Sequence, residues 1–242
     1  MADFGIRCVV GLVVLASVTA CGSSTKPEGS AKPDRPMSAA ELRTHLLPAA
    51  LPGGWTSVAE PTDEHPKATS GASTSPPSCE GLLDGQTVVD AGTTASSASV
   101  TAMFSGGRSV GNGVIPGMEK LYSFPGDGAH EAMRSMRDLV GRCRTVDLPH
   151  ASSEPAETAG FSLAEGPRLG DESLVIRAVV TTSAPGGDSQ RADATVVRVG
   201  SSLVVISSVL SLTRAEADSV AAFMPVAVAQ VKSNRPEPVD AV

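Results

Sequence analysis

Three strand patterns follow one another between residues 173 and 210, and they restrict the fold more than any other part of the chain. We predict strands at Ser173–Thr182, Ala192–Val199 and Leu203–Leu210. Gly200-Ser201 joins the last two strands in a tight hairpin, and a segment with one proline and two glycines separates the first two. The third strand begins with four consecutive apolar residues, a pattern typical of a strand in the middle of a sheet.

Two further strands are predicted earlier in the chain. Apolar and polar residues alternate in Ser97–Phe104, which predicts a half-buried strand. Its core-facing residues are Ala98, Val100, Ala102 and Phe104. Met118–Phe124 follows a glycine-rich connection and is predicted to be the antiparallel partner of this strand. Trp55 marks a further short strand, and residues 61–78, rich in Pro, Ser and Thr, predict an exposed loop.

Capping residues and apolar positions spaced by three and four predict three helices. They run from Ser38 to about Leu47, from Gly128 to Cys143 behind the capping residue Asp127, and from Thr213 to about Lys232 with a kink at Pro225. Because helices and hairpin-linked strands occur in blocks, the fold class is α+β: an antiparallel sheet packed with helices in a single domain.

The N-terminus has the pattern of an export signal. Arg7 precedes the apolar segment Cys8–Ala20, which is too short to span a bilayer. Val18–Cys21 resembles the bacterial lipoprotein signal, and that resemblance implies cleavage before Cys21 and acyl chains on this cysteine. The alternative is an ordinary secretory peptide with an incidental cysteine. The polar, proline-containing residues that follow predict a disordered tether.

These patterns divide the chain into four parts: a lipoprotein signal peptide at 1–20, a tether at 21–37, an α+β domain at 38–233 and a tail at 234–242. The predicted location is the outer face of the cytoplasmic membrane, where the lipid on Cys21 holds the protein. The formal net charge is −7 and the chain has no basic cluster, which argues against nucleic acid as a partner.

The four cysteines suggest one disulfide. Cys8 lies in the signal segment and Cys21 is the lipidation site, so Cys79 and Cys143 remain for the folded part. In an exported chain, two remaining cysteines favour a disulfide between them. A metal site is the rival interpretation, but neither cysteine has a neighbouring Cys or His at ligand spacing. No metal and no cofactor are predicted.

One region resembles a known family. Tyr122–Pro125, which enters a helix ending in Asp138–Cys143, resembles a run in actinobacterial extracytoplasmic sensor domains. These occur as the outer domains of mycobacterial Ser/Thr protein kinases and as free-standing lipoproteins. The resemblance extends to Leu47–Trp55, to Cys79 as disulfide partner and to Leu203–Val231. It implies an antiparallel sheet backed by helices, with a groove for an unidentified ligand.

One catalytic motif needs consideration. Gly107–Gly111 matches the G-x-S-x-G pattern of hydrolases, with Ser109 as the nucleophile. The elbow requires a helix directly after the serine, but the following residues contain several glycines and a proline, which do not start a helix. We therefore interpret Arg108–Gly113 as a hairpin loop that lines a binding groove, and we predict no catalytic residue.

The remaining polar residues suggest weaker sites. His130-Glu131 lies in the first turn of the central helix, where Glu131 complements the helix dipole. His45 and His65 are predicted to be exposed, and Asp63-Glu64-His65 forms a solvated loop rather than a cation site. Arg177 lies within an apolar strand, either facing outward or lining a groove. The possible groove residues are Arg177, Tyr122 and Arg108.

The sequence therefore favours a membrane-anchored, extracytoplasmic ligand-binding or sensor-type lipoprotein without catalysis. Its predicted partners are the cell membrane, through the lipid anchor, and an unknown small ligand or envelope protein. The alternative is a structural or assembly protein of the envelope that binds another protein. A serine hydrolase that uses Ser109 is the third and least favoured hypothesis.

Overall fold

An antiparallel sheet forms the centre of the structure, which is a computed structural model. The structure describes residues 35–57, 62–64, 79, 96–107, 115–148, 156–183, 189–208 and 213–233, with only the backbone given for 62–64. All of these residues belong to one structural unit, Pro33–Val242. The strands, in chain order, are β1 (Ala50–Leu51), β2 (Trp55–Ser57), β3 (Thr62–Glu64), β4 (Ala98–Gly106), β5 (Ile115–Ser123), β6 (Thr145–Leu148), β7 (Glu157–Glu165), β8 (Glu172–Thr182), β9 (Ser189–Val199) and β10 (Ser202–Ser208).

The strands are arranged in the order β1-β2-β4-β5-β10-β9-β8-β7-β6, and β3 pairs with β4 beside β2. Every pairing is antiparallel. β10 lies in the middle of this order and is buried along its whole length, as its apolar sequence predicts. Gly200 adopts a φ of 57° in the turn between β9 and β10, which confirms the predicted tight hairpin. The α+β prediction is therefore confirmed.

The described residues form four α-helices: α1 (Ala39–Arg43), α2 (Gly128–Arg142), α3 (Arg214–Ala221) and α4 (Met224–Ser233). Both predicted capping boxes are present at the starts of α1 and α3. The predicted end of the first helix is wrong, because α1 ends at Arg43. The last predicted helix is interrupted at residues 222–223, shortly before the predicted kink at Pro225, and so forms α3 and α4. Pro225 lies in the first turn of α4, where its missing N–H disrupts no helical hydrogen bond. Asp127 makes no side-chain capping bond to α2.

The sheet has an apolar core on each face. The core on face 1 packs against α2 and includes Tyr122, Met136 and Phe161. The core on face 2 packs against α1, α3 and α4, and includes Leu42 and Leu121.

Coverage of both faces corrects one prediction. Ser99 and Thr101 of β4 were expected on a solvent-exposed face, but they are only 4% and 7% exposed. The strand is thus buried on both faces rather than half-buried.

Four strands were not predicted. β1 has two residues and pairs with β2. β6 and β7 form an antiparallel pair that extends the sheet beyond β8. β3 falls inside the predicted loop at 61–78, so the loop interpretation is wrong for Thr62–Glu64, which pair with Ser99–Thr101 of β4. The remainder of that loop, apart from these three residues, lies outside the described residues.

The predicted disulfide is present. Cys79 and Cys143 are bonded across a sequence separation of 64, with their Cα atoms 5.3 Å apart. Cys143 is buried at the end of α2, where its backbone N–H donates to the carbonyl of Leu139 at 2.9 Å. The bond therefore joins Cys79 to the helix that covers face 1.

The predicted signal peptide, Cys21 and the tail at 234–242 lie outside the described residues, so the domain bounds stay predictions. In the described part of the chain, none of the helices combines the length and the apolar character that crossing a membrane requires.

Candidate functional site

The described helices cover only part of face 2. The helices on this face pack on β4, β5, β9 and β10. Along β8, buried residues pointing to face 1 alternate with half-buried residues pointing to face 2, from Leu174 to Val180. The central residues of β7 and β8 on face 2 are small or β-branched, apart from one arginine: Gly160, Ser162, Ala164, Val175, Arg177 and Val179. We call these six residues the open sheet face.

Arg177 lies at the centre of the open sheet face and contacts Asp193 on β9. The two residues are directly opposed in the antiparallel register. Arg177 Nε is 3.4 Å from Asp193 Oδ1, and Arg177 Nη2 is 3.5 Å from Asp193 Oδ2. These contacts are long for charge-assisted hydrogen bonds, which are usually about 2.7–2.9 Å. Arg177 is therefore the loosely held member of the pair, and its side chain is 35% exposed.

A second arginine holds the same carboxylate more tightly. Arg191 Nε donates to Asp193 Oδ1 at 2.8 Å, and Arg191 Nη2 donates to Asp193 Oδ2. The Asp193 side chain is only 8% exposed. Its backbone N–H also donates to Ser208 Oγ at 3.0 Å, which fixes β9 against the end of β10. Two guanidinium groups thus share one buried carboxylate, and the local excess of positive charge lies on the exposed side, at Arg177.

The electrostatics keep this carboxylate ionised. Burial acts to raise the pKa of Asp193, but the hydrogen bonds and positive charges of Arg191 and Arg177 outweigh it, so the pKa is lowered. The hydrogen bond to Asp193 likewise raises the pKa of Arg191, with a further contribution from the charge of Asp218 on α3. At neutral pH the cluster therefore consists of two cations and one anion, and the Arg177 guanidinium can donate to a second anionic group.

The structure does not bring the predicted groove residues together. Tyr122 pairs with Leu203 and belongs to face 1, where its ring is fully buried and stacks on Phe124 at a centroid distance of 6.2 Å. Arg177 lies on face 2, so the sheet separates it from Tyr122. Arg108 lies outside the described residues.

Ser109, the serine of the G-x-S-x-G match, was considered as a nucleophile only in the least favoured hypothesis. Ser109 and the two residues around it lie outside the described residues. Gly107, the first residue of the G-x-S-x-G match, has a φ of 65°. That Ser109 is not catalytic stays a prediction from the sequence.

The two histidines that the structure describes, His45 and His130, have structural contacts. His45 was predicted to be exposed, but it is 5% exposed, and its Nδ1 lies 2.9 Å from the carbonyl of Gln230 on α4. This carbonyl accepts only, so the His45 ring donates. His130 Nδ1 lies 3.3 Å from Glu172 Oε2, in an ion-pair network that also includes Arg137 and Arg198.

The network ties α2 to β8 and β9. Burial acts to raise the pKa of Glu172, but the hydrogen bonds and charges of Arg137 and His130 lower it overall. His65 lies outside the described residues, and Asp63 and Glu64 belong to β3. Among the residues that the structure describes, no three His, Cys, Asp or Glu side chains are grouped as a metal would require.

Sequence reasoning missed two buried ionisable residues in β5. Glu119 and Lys120 are adjacent in the strand, so their side chains point to opposite faces of the sheet, and both are fully buried. Lys120 Nζ lies 4.9 Å from the centroid of the Tyr122 ring on face 1. Glu119 accepts a hydrogen bond from Leu47 on face 2. The signal in the sequence is a pair of charges between apolar residues, Met118 and Leu121, in a predicted strand.

Comparison with known proteins identifies a structural neighbour. The fold is similar to that of the extracellular domain of PknH from Mycobacterium tuberculosis, with 17% sequence identity and a TM-score of 0.51. The match covers 80% of this chain and 97% of that chain. No protein-family model matches, and a search of curated proteins gives no significant match. The neighbour confirms the predicted resemblance at the level of the fold.

Proposed function

We propose that this protein is a non-catalytic, sensor-type binding domain that a lipid on Cys21 holds at the outer face of the cytoplasmic membrane. Two observations support the location. Val18–Cys21 has the lipoprotein pattern and is followed by a polar segment. The structural neighbour is an extracellular domain that the match covers almost completely.

The open sheet face is the binding surface that the geometry favours. Its small and β-branched residues make a surface without bulky projections, and Arg177 supplies a half-exposed cation at its centre. Guanidinium groups recognise carboxylates through paired N–H donors. We therefore propose an envelope protein segment that carries a carboxylate as the partner, with a small anionic ligand as the second candidate.

The single observation that carries this proposal is that Arg191 lies closer to the Asp193 carboxylate than Arg177 does. Arg191 already holds the carboxylate at 2.8 Å, whereas the contacts of Arg177 are 3.4 and 3.5 Å. An incoming carboxylate can therefore engage Arg177 without breaking the buried Arg191–Asp193 pair. Binding at such a site requires little rearrangement of the folded domain.

Comparative mass spectrometry of native complexes tests the binding surface. The full chain and its Arg177→Gln variant are purified from membranes in mild detergent, and bound small molecules and proteins are quantified. Arg134→Gln is the matched control, because Arg134 is exposed on α2. We expect one species to be enriched with the parent and the control and lost with Arg177→Gln. Equal recovery with all three proteins would contradict the proposal.

Membrane fractionation tests the anchor separately. The Cys21→Ala variant should leave the membrane fraction or accumulate as an unprocessed precursor, and it should not incorporate an alkyne-tagged fatty acid. A variant that fractionates, migrates and incorporates the label like the parent would show that Cys21 is not the lipidation site. This result would leave the binding proposal unaffected.

A further inference from the structure

A fully buried carboxyl group connects the N-terminal segment to the centre of the sheet. The backbone N–H of Leu47 donates to Glu119 Oε2 at 2.7 Å. Glu119 Oε1 is also buried, and it has no hydrogen-bond partner in the described part of the chain. An ionised carboxylate buried with a single hydrogen bond is strongly unfavourable, whereas a protonated one is much less so.

The segment that Glu119 holds is attached at several points. We call residues 37–47, which include α1, the N-terminal strap. At its start, the Met37 N–H donates to Ser123 Oγ at 2.7 Å. In its middle, Leu42 is fully buried in the face 2 core, and near its end the His45 ring donates to Gln230. The strap follows the predicted tether, so it is where the domain continues toward the predicted membrane anchor.

We propose that Glu119 is a proton-dependent latch: in its neutral form it holds the N-terminal strap on strand β5, and loss of its proton releases the strap. The proton leaves to solvent and no other covalent change is needed. Because the same strap leads to the predicted anchor, its release changes the length of free chain between the membrane and the folded sheet.

Among the residues that the structure describes, no charged group neutralises Glu119. Strands β4 and β10, on either side of β5, contain no ionisable residue. The ionisable residues of the strap are Glu41, Arg43 and His45, and those of α3 are Arg214, Glu216 and Asp218. Helix α4 contributes Lys232, which is exposed. Lys120, the other charged residue of β5 beside Glu119, points to face 1.

Five of those groups, Glu41, His45, Arg214, Glu216 and Asp218, have partners other than Glu119. Glu41 is bound by Ser38 and Arg35, and Glu216 is bound by Thr213. Arg214 pairs with Asp218 at 3.7 Å. Burial raises the pKa of Glu119 to about 8, and the hydrogen bond from Leu47 opposes this only in part. Glu119 therefore changes its protonation state in a pH range that is accessible to experiments on the protein.

Amide hydrogen exchange on the full chain tests the latch. The measured rate of each amide is divided by its intrinsic rate at that pH, which gives a protection factor. If opening of the strap exposes Glu119 to water, protection of the Leu47 amide should fall by roughly tenfold per pH unit between pH 5 and 8 and level off above it. The Val205 amide, in the central strand β10, should be more strongly protected than Leu47 at every pH.

Two variants sharpen the test. Glu119→Gln carries no titratable proton, so protection of Leu47 should lose this pH dependence. Glu165→Gln makes the same chemical change at an exposed position at the end of β7 and should behave like the parent. The latch is refuted if the pH dependence of Leu47 is the same in Glu119→Gln and the parent, or if Leu47 and Val205 are equally protected throughout.

A measurement on the parent alone covers the case in which Glu119→Gln does not fold. Infrared spectra of the folded chain should show the carbonyl stretch of a protonated, non-hydrated carboxylic acid at pH 6. This band should disappear on titration to pH 9 while Leu47 becomes less protected. Absence of the band at pH 6 would overturn the proposal, because the latch requires a neutral Glu119 in the closed state.

Discussion

Replacing Glu119 by glutamine should remove a specific pH dependence from the stability of the whole domain. Glu119 has an ordinary pKa of 4.5, and burial in the folded protein raises it to about 8. A raised carboxyl pKa means that the folded state binds a proton that the unfolded state releases. The stabilisation is therefore complete below about pH 4.5 and is lost as the pH rises through about 8.

The magnitude follows from the same two pKa values. Each pH unit over which the two states differ by one proton is worth about 1.36 kcal/mol. Between pH 5 and 8 the free energy of unfolding of the parent should therefore fall by about 4 kcal/mol relative to that of Glu119→Gln. Other titrating groups affect both proteins alike, so the difference between the two isolates the contribution of Glu119.

Urea unfolding followed by fluorescence measures this difference. Trp55 is the single tryptophan of the chain and is buried against Phe104 and Phe223, so its emission reports loss of the face 2 core. Glu165→Gln provides the control and should keep the slope of the parent. If parent and Glu119→Gln lose stability in parallel between pH 5 and 8, the assignment of a neutral, buried Glu119 is wrong.

Three further predictions concern packing and charge. Cys143→Ala removes the disulfide, and in the chain-entropy model its free energy of unfolding should be about 4 kcal/mol lower than that of the oxidised parent, as judged by urea unfolding. The reduced parent should lose a similar amount, and equal stability of variant and oxidised parent would contradict this. Gly117→Ala should destabilise the domain by about 1–3 kcal/mol, because the new Cβ would lie 2.4 Å from the Phe104 ring. Gly141→Ala, in open space on α2, should stabilise the domain by about 0.5–1 kcal/mol. Thermal melts in which the two variants have the opposite order would refute this reasoning. Asp193→Asn should lower the free energy of unfolding by about 1–3 kcal/mol at pH 7. Because the pKa of Asp193 is lowered on folding, the difference between variant and parent should shrink as the pH falls below about 4. A difference that stays constant down to pH 3 would contradict this prediction.

The C-terminal half of the sheet could be predicted because its signals are local. The continuous apolar run at Leu203–Ile206 requires burial on both sides, and the glycine of Gly200-Ser201 supplies the positive φ of the turn. The edge strand β6 could not be predicted in this way. It has four residues, and only Val146 and Leu148 face the core, so its alternation is too short to distinguish from a loop.

The second face of β4 shows why alternation alone misjudges burial. Ser99 and Thr101 have the polarity of solvent-facing residues, yet they are buried because both faces of the sheet are covered. An alternating pattern reports which side is more apolar, but coverage of the other side depends on residues distant in the chain. In the same way, the strand containing Glu119 was predicted, but its partner Leu47 lies 72 positions away.

The candidate site was predictable in one residue only. Arg177 stood out as a charged residue in an apolar strand, and the structure places it at the centre of the open sheet face. Its pairing with Asp193 depends on the register between β8 and β9. The sequence does not reveal this register, because it does not show where β8 ends and where β9 begins. Tyr122 was assigned to the same groove because sequence order does not show which face of the sheet a residue occupies.

Site-specific photo-cross-linking in membranes tests the central claim, that the open sheet face binds a partner, most directly. A photoreactive amino acid is placed at Ser162, which is exposed and paired with Arg177 in the register of β7 and β8. The same amino acid at Arg134, on α2, serves as the control. The account predicts a discrete adduct from position 162 that is lost when Arg177 is replaced by glutamine, and none from position 134. No adduct from position 162, or the same adducts from both positions, would contradict it.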